Sequence, residues 1–295
     1  MSVHTIDHAP LTRTSHLPVL DLGALHPDEL RAVARDTGAF LLTGHGLRPE
    51  IPGQLLDLAR LFFALPVEDK AVVDTARSEQ FRGWTSFGRG PAEGWREQFD
   101  VGAELPVIPP DDRTRPGESL VGPNQWPARL PALRDRALWF QDRATEIARA
   151  LLHRLAVALE LDPDVFDRAF AGDPATWTSL AREHGVDRPQ RHPIESHTDA
   201  GALTLRWIDG WSGGDRILAD HRWVPADGVP GAFLVTVGDL LADLTDGYLR
   251  AAPHRLTPAG RERVRLTYTY DAPYGVLPER LDLAHLTAGE WPAAA

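Results

Sequence analysis

His197-Thr198-Asp199-Ala200-Gly201-Ala202-Leu203-Thr204-Leu205-Arg206-Trp207 is the stretch on which the reading of this 295-residue chain turns. In an extended segment residues two apart point the same way, so His197 and Asp199 face one cavity while Thr198 faces outward. A second imidazole, His254 in Pro253-His254-Arg255, must come from a distant strand, and Arg265 lies one strand further on. Two imidazoles and one carboxylate are the ligand set of the facial triad that holds a non-haem Fe(II) and leaves its opposite positions open.

A bare His-x-Asp carries little information, and the chain holds a second copy, His26-Pro27-Asp28. That copy reads as a helix start, with Pro at the first helical position and acids in the first turn. The copy at 197 stands out by the segments downstream of it: Trp223-Val224-Pro225, then Gly238-Asp239-Leu240-Leu241, then Pro253-His254-Arg255. From Trp177 onward short apolar runs alternate with Gly, Pro and Asp, the signature of a β-sandwich or barrel. The expected strands are Trp177 to Glu183, Ile194 to Thr198, Leu203 to Ile208, Arg216 to Ala219, Phe233 to Val237, Leu249 to Leu256 and Arg263 to Asp271. Such a set suits a jelly roll.

Upstream the periodicity is helical. Pro27 opens a helix to about Thr37, Glu50 to Leu65 carries Leu55, Leu58, Ala59, Phe62 and Phe63 on one stripe, and the longest helix runs from Ala132 to about Leu161. A short helix near Phe166 to Phe170 closes this part. Neither a repeat nor a low-complexity tract divides the chain, so it reads as one domain. Within it, 1–105 is a helix and strand region, 106–175 a Pro-rich surface stretch with a bracing helix, and 176–295 the jelly-roll core with the metal site.

The formal charge of −11 disfavours nucleic acid and anionic membrane as partners, since both select clustered Lys and Arg. No cysteine is present, which rules out a disulfide framework and any thiolate site. The polar opening from Met1 to His16 lacks an apolar core, and no run approaches eighteen apolar residues, so a cytoplasmic location is the default expectation. Nothing in the composition determines the oligomeric state.

On the strength of these residues, the chain resembles the 2-oxoglutarate and Fe(II)-dependent dioxygenases of the isopenicillin N synthase-like group, over nearly its whole length. The N-terminal half matches in Leu17 to Leu22, Gly38 to Gly46, Arg60 to Pro66, Arg82-Gly83-Trp84 and Glu97-Gln98-Phe99-Asp100. The resemblance implies a distorted double-stranded β-helix with helices packed outside, a mainly β fold. It assigns His197, Asp199 and His254 to the metal, and Arg265 with Thr267 to the distal carboxylate of 2-oxoglutarate. It further implies that Fe(II), 2-oxoglutarate and O2 together oxidise a C–H bond of a small molecule, most commonly by hydroxylation, with succinate and CO2 as co-products. A same-fold oxidase that draws its electrons from the substrate, and a jelly-roll module holding a metal for structure alone, remain as alternatives. Asp199 argues against halogenation, which in the family replaces this carboxylate by Gly or Ala.

Arg265 shares a strand face with Thr267 and Thr269, and a buried guanidinium there needs either a ligand carboxylate or an internal acid. Two positions depart from the family pattern. Where the family places a Tyr against 2-oxoglutarate, this chain reads Leu180-Ala181-Arg182-Glu183-His184, so His184 or Arg182 could substitute. Arg206 stands where an aliphatic residue is usual. If its strand turns as in relatives, Arg206 faces the cavity and binds an anionic group; if the strand is shifted by one, Leu205 and Trp207 face inward instead. Arg206, Arg82, Trp84 and Phe99 are the candidate substrate residues, with core packing the competing reading for the aromatic ones.

Overall fold

The structure is a computed structural model that describes residues 16–87, 96–184, 194–209, 214–226, 229–257 and 261–287. In chain order the elements are β1 (Val19–Asp21), α1 (Pro27–Asp36), β2 (Ala39–Thr43), α2 (Glu50–Phe63), α3 (Val67–Lys70), β3 (Gly83–Phe87), β4 (Arg96–Gly102), α4 (Ala132–Ala158) and α5 (Val165–Ala169). Next come β5 (Ala175–Glu183), β6 (Ile194–His197), β7 (Leu203–Trp207), β8 (Asp215–Ala219), β9 (Arg222–Pro225), β10 (Phe233–Val237), α6 (Asp239–Leu244), β11 (His254–Leu256), β12 (Arg263–Asp271) and α7 (Ala284–Thr287).

Eight strands form one sheet in the order β1-β2-β10-β7-β12-β5-β4-β3, and four form a second, β6-β11-β8-β9. Strands from the first half of the chain thus extend the sheet that carries β7 and β12. The β8–β9 hairpin closes through Asp220 and His221, both at positive φ, the backbone that a two-residue hairpin turn needs to match strand twist. The strand expected over Leu249 to Leu256 is shorter and begins at His254. Pro253 has no N–H to give a ladder, and α6 with its turn occupies the chain upstream. Likewise α4 ends at Ala158, because Glu160 adopts a left-handed φ of 58.

Because side chains alternate along a strand, the register divides the large sheet into two unlike faces. One face carries Phe40, Phe99, Leu180, Leu205, Phe233, Leu266 and Tyr268, all buried in the main core beneath α2 and α4. Phe62 of α2 meets Phe99 at 4.7 Å between ring centroids, and Thr145 of α4 hydrogen-bonds the Tyr268 hydroxyl at 2.7 Å. Burying each such side chain contributes about 1.5–3 kcal/mol, so this face supplies much of the stability. The other face carries Arg96, Gln98, Asp100, Ser179, Glu183, Thr204, Arg206, Arg263, Arg265, Thr267 and Thr269. It looks toward the small sheet: Arg206 of β7 reaches His254 of β11, and Arg265 of β12 reaches Asp215 of β8.

Candidate metal centre

His197 ends β6 and His254 begins β11, and the two pair directly across that antiparallel ladder. Their rings stand 4.3 Å apart between centroids. Asp199 lies two residues past the end of β6, where its carbonyl accepts from the Asp239 N–H at 2.8 Å and Thr198 donates to the Asp239 carboxylate at 3.1 Å. Gly238 is needed in that turn: a Cβ there would lie 2.0 Å from the Gly201 carbonyl oxygen. The Gly238-Asp239 pair seen in the sequence therefore fixes the backbone that presents Asp199.

One ligand atom from each of His197, Asp199 and His254 lies within 4.8 Å of the others. The Nδ1 of His197 sits 2.9 Å from the Glu195 carbonyl, and that of His254 sits 2.9 Å from the Ala252 carbonyl. A carbonyl only accepts, so each Nδ1 carries a proton and each Nε2 is turned toward Asp199, the second-sphere arrangement typical of metal-binding histidines. Burial alone would raise the Asp199 carboxyl; Arg206 and then His254 outweigh it and hold the pKa at about 2. Burial, reinforced by Arg206, lowers His254 to about 4. At neutral pH the set is one carboxylate and one assured neutral imidazole beside His197, a donor set that fits a divalent ion.

The direction of Arg206, which the sequence left open, is toward the cavity. Its Nη2 donates to Asp199 Oδ2 at 3.0 Å and to His254 Nε2 at 2.7 Å, while Nη1 is buried without a partner. Thr236 on β10 donates to the same Asp199 oxygen at 3.0 Å. Leu205 and Trp207 face the helices, with Trp207 packed edge-on against Phe233.

Arg265 shares its strand face with two further charged residues, Arg263 and Asp271. Its Nη2 donates to Asp215 at 2.7 Å, and its Nη1 is buried without a partner. Burial works against both charges, but each is held ionised chiefly by the other. The internal acid and the available N–H thus coexist on one guanidinium. Thr267 lies in register with Arg206 on the same face.

Three of the sequence candidates sit elsewhere. Trp84 and Phe99 lie on the helix-covered face, a correction set by strand parity: Trp84 donates to Glu97, which is paired with Lys70 at 2.6 Å, and Phe99 packs on Phe62. Arg82 stacks on Trp177 at 4.3 Å and donates to the Leu120 carbonyl, lining a separate cavity of 120 Å³ with Tyr274 and Glu118. Neither candidate for the missing Tyr reaches the site. Arg182 points to the Phe63 carbonyl and pairs with Glu262, and His184 lies between Glu97 and Glu262. Asp215, Thr236 and Arg96 were not found by sequence reasoning, because only the register between strands reveals their facing.

A family model described as the 2OG-Fe(II) oxygenase superfamily matches residues 181–272, and one described as a non-haem dioxygenase N-terminal region matches 17–129. Validamycin A dioxygenase of Streptomyces hygroscopicus subsp. limoneus is 32% identical over 286 residues, covering 88% of this chain and 72% of the relative. The chain belongs to the 2OG-Fe(II) oxygenase superfamily. This oxygenase also aligns with homoarginine-6-hydroxylase 2-ODD-C23.1 of Arabidopsis thaliana, 26% identical over 90% of this chain and 88% of that one. Among solved structures, a 2OG-Fe(II) oxygenase family protein from Caulobacter crescentus superposes with a TM-score of 0.74 at 25% identity, covering 88% of this chain and 87% of that one. The oxygenase is thus a jelly-roll dioxygenase of the oxidoreductase class whose cofactors are Fe(II), 2-oxoglutarate and O2. Among the described residues, no helix is long and apolar enough to cross a membrane.

Proposed function

We propose that His197, Asp199 and His254 hold the Fe(II), that Arg265 with Thr267 receives the distal carboxylate of 2-oxoglutarate, and that the outcome is hydroxylation of an unactivated C–H bond in a free small molecule. The observation that carries this reading is the convergence of three ligand atoms within 4.8 Å, with both imidazole Nδ1 atoms tied to carbonyls. Bound there, iron supplies O2 activation coupled to oxidative decarboxylation of 2-oxoglutarate. The chain's own residues do the rest. Glu195 and Ala252 lock the ring orientations, while Thr236 and Arg206 fix the Asp199 carboxylate. Asp215 holds Arg265 by one nitrogen so that Nη1 remains for a ligand carboxylate, the kind of partner a guanidinium fork favours.

Arg206, with its buried unpartnered Nη1, lends positive charge to an anionic group beside the metal. Arg82 lines its own cavity and has no part in this site. The net charge of −11 favours a free metabolite over nucleic acid, and the chain works as one domain in the cytoplasm. The test is 2-oxoglutarate-dependent succinate release under O2. Release in the wild type and its loss in His254→Ala support the reading; substrate oxidation without 2-oxoglutarate would favour the same-fold oxidase instead.

A further inference from the structure

Among the described strand residues, four guanidinia share the cavity face of the large sheet, and three have a carboxylate at hydrogen-bond distance: Arg206 with Asp199, Arg263 with Glu183, and Arg265 with Asp215. The fourth, Arg96 on β4, has no ion pair and no hydrogen bond to a carboxylate among the described residues. Its Nε is buried without a hydrogen-bond partner, and its Cζ lies over the Phe87 ring, 5.5 Å from the centroid. Arg96 is in register with Glu183 on β5, whose Oε2 is bonded to Arg263 and whose Oε1 is buried without a hydrogen-bond partner. Of the other acids on the face, Asp271 lies at the far end of β12 in register with Ala175, and Asp100 has both oxygens engaged by Gln98 at 2.7 and 2.8 Å and one also by Trp177 at 3.0 Å.

A largely buried cation without a dedicated counter-ion is costly, and the cost is recovered when a ligand brings the anion. Burial already depresses the Arg96 pKa; among its neighbours Glu183 and Asp100 oppose that, while the Arg265 and Arg206 guanidinia add to it.

We propose that Arg96 anchors an anionic oxygen group, a carboxylate or a phosphate, on the primary substrate. The inference rests on the oxygenase reading and adds the substrate's chemical class: a small acid that also carries polar groups, since this face offers Gln98, Ser179, Thr204 and Thr269 alongside the Trp177 indole, which is in register with Thr269. The experiment is a panel of size-matched carboxylates, phosphate monoesters, neutral polyols and amines. Each is titrated anaerobically into the Fe(II)–2-oxoglutarate complex and then assayed for succinate release. Carboxylates or phosphates should bind and couple, with the better of the two naming the group. For the productive compound Arg96→Leu should lower kcat/KM by roughly 30-fold or more, while Arg96→Lys, which keeps the charge without the fork, should lose less. The 2-oxoglutarate affinity, read from the same anaerobic titration, should stay within about threefold, because Arg265 holds that carboxylate. Productive neutral or cationic compounds, no anionic binder in the panel, an unchanged kcat/KM in Arg96→Leu, or a loss confined to 2-oxoglutarate would each overturn the assignment. Failure of the complex to form at all would instead count against the oxygenase reading.

Discussion

The two faces of the eight-stranded sheet are made from the same strands, and they do opposite work. Under α2 and α4 the face is apolar and closely packed, with Phe99, Leu180, Leu205, Phe233 and Tyr268 essentially inaccessible to water. One residue along each strand the side chains turn to the second sheet, and there the face is guanidinium, carboxylate, amide and hydroxyl. Where a charge does enter the apolar face it is paired, as Glu97 is with Lys70 at 2.6 Å, because a buried charge is stable only in a pair. Stability and chemistry in this fold are therefore separated by strand parity rather than by position along the chain, so substitutions one residue apart should fail in different ways.

The greatest loss should come at the proposed metal ligands. Asp199→Ala or His254→Ala should lower 2-oxoglutarate turnover by roughly a thousandfold or more while circular dichroism stays that of the wild type. Loss of fold in these variants would mean that the polar face also carries stability. On the opposite face, Phe99→Ala should cost about 3–5 kcal/mol in chemical denaturation, with iron binding per folded molecule unchanged. Arg265→Leu comes next. It should raise the 2-oxoglutarate requirement at least about tenfold, and by more if the full cost of about 2–5 kcal/mol for breaking a buried charged pair is felt, and Asp215 would then be the stranded charge. An unchanged requirement would leave Arg265 with the internal pair alone.

A smaller change is expected at Asp271, at the end of β12 on the polar face, where burial raises the carboxyl from 3.8 to about 6 against a hydrogen bond from the Ala272 N–H. Between those two values the folded protein keeps a proton that the unfolded chain has released, so stability falls as pH rises through that window and stays lower above it. Asp271→Asn should remove that slope and add about 1–2 kcal/mol near neutral pH, allowing for partial exposure. Thermal melts of the two proteins across pH 4–7 check it; parallel curves would contradict the burial argument.

Much of the site is legible in the sequence. The proposed ligands His197, Asp199 and His254, the candidate Arg265, the two-residue alternation of β12, and the long bracing helix all come from local pattern, because period and spacing are properties of one segment. The hidden part depends on pairs of segments. The facing of Arg206, the partner of Arg265, and the side of the sheet taken by Trp84 and Phe99 are all matters of register between strands distant in sequence. Arg96 was invisible for the same reason: in Trp95-Arg96-Glu97-Gln98 it looks like a solvated charge until Glu183 and Arg263 are seen beside it. The turn chemistry of Asp220-His221 was equally silent, since neither residue is the Gly or Asn usually read as a hairpin signal.

If the polar face is an Fe(II) and 2-oxoglutarate site, an anaerobic titration of 2-oxoglutarate into the protein with stoichiometric Fe(II), monitored by visible absorption, should show it. A weak charge-transfer band that saturates with 2-oxoglutarate in the wild type and is absent in His254→Ala is the predicted result. No band, with zinc binding stoichiometrically in place of iron, would contradict it.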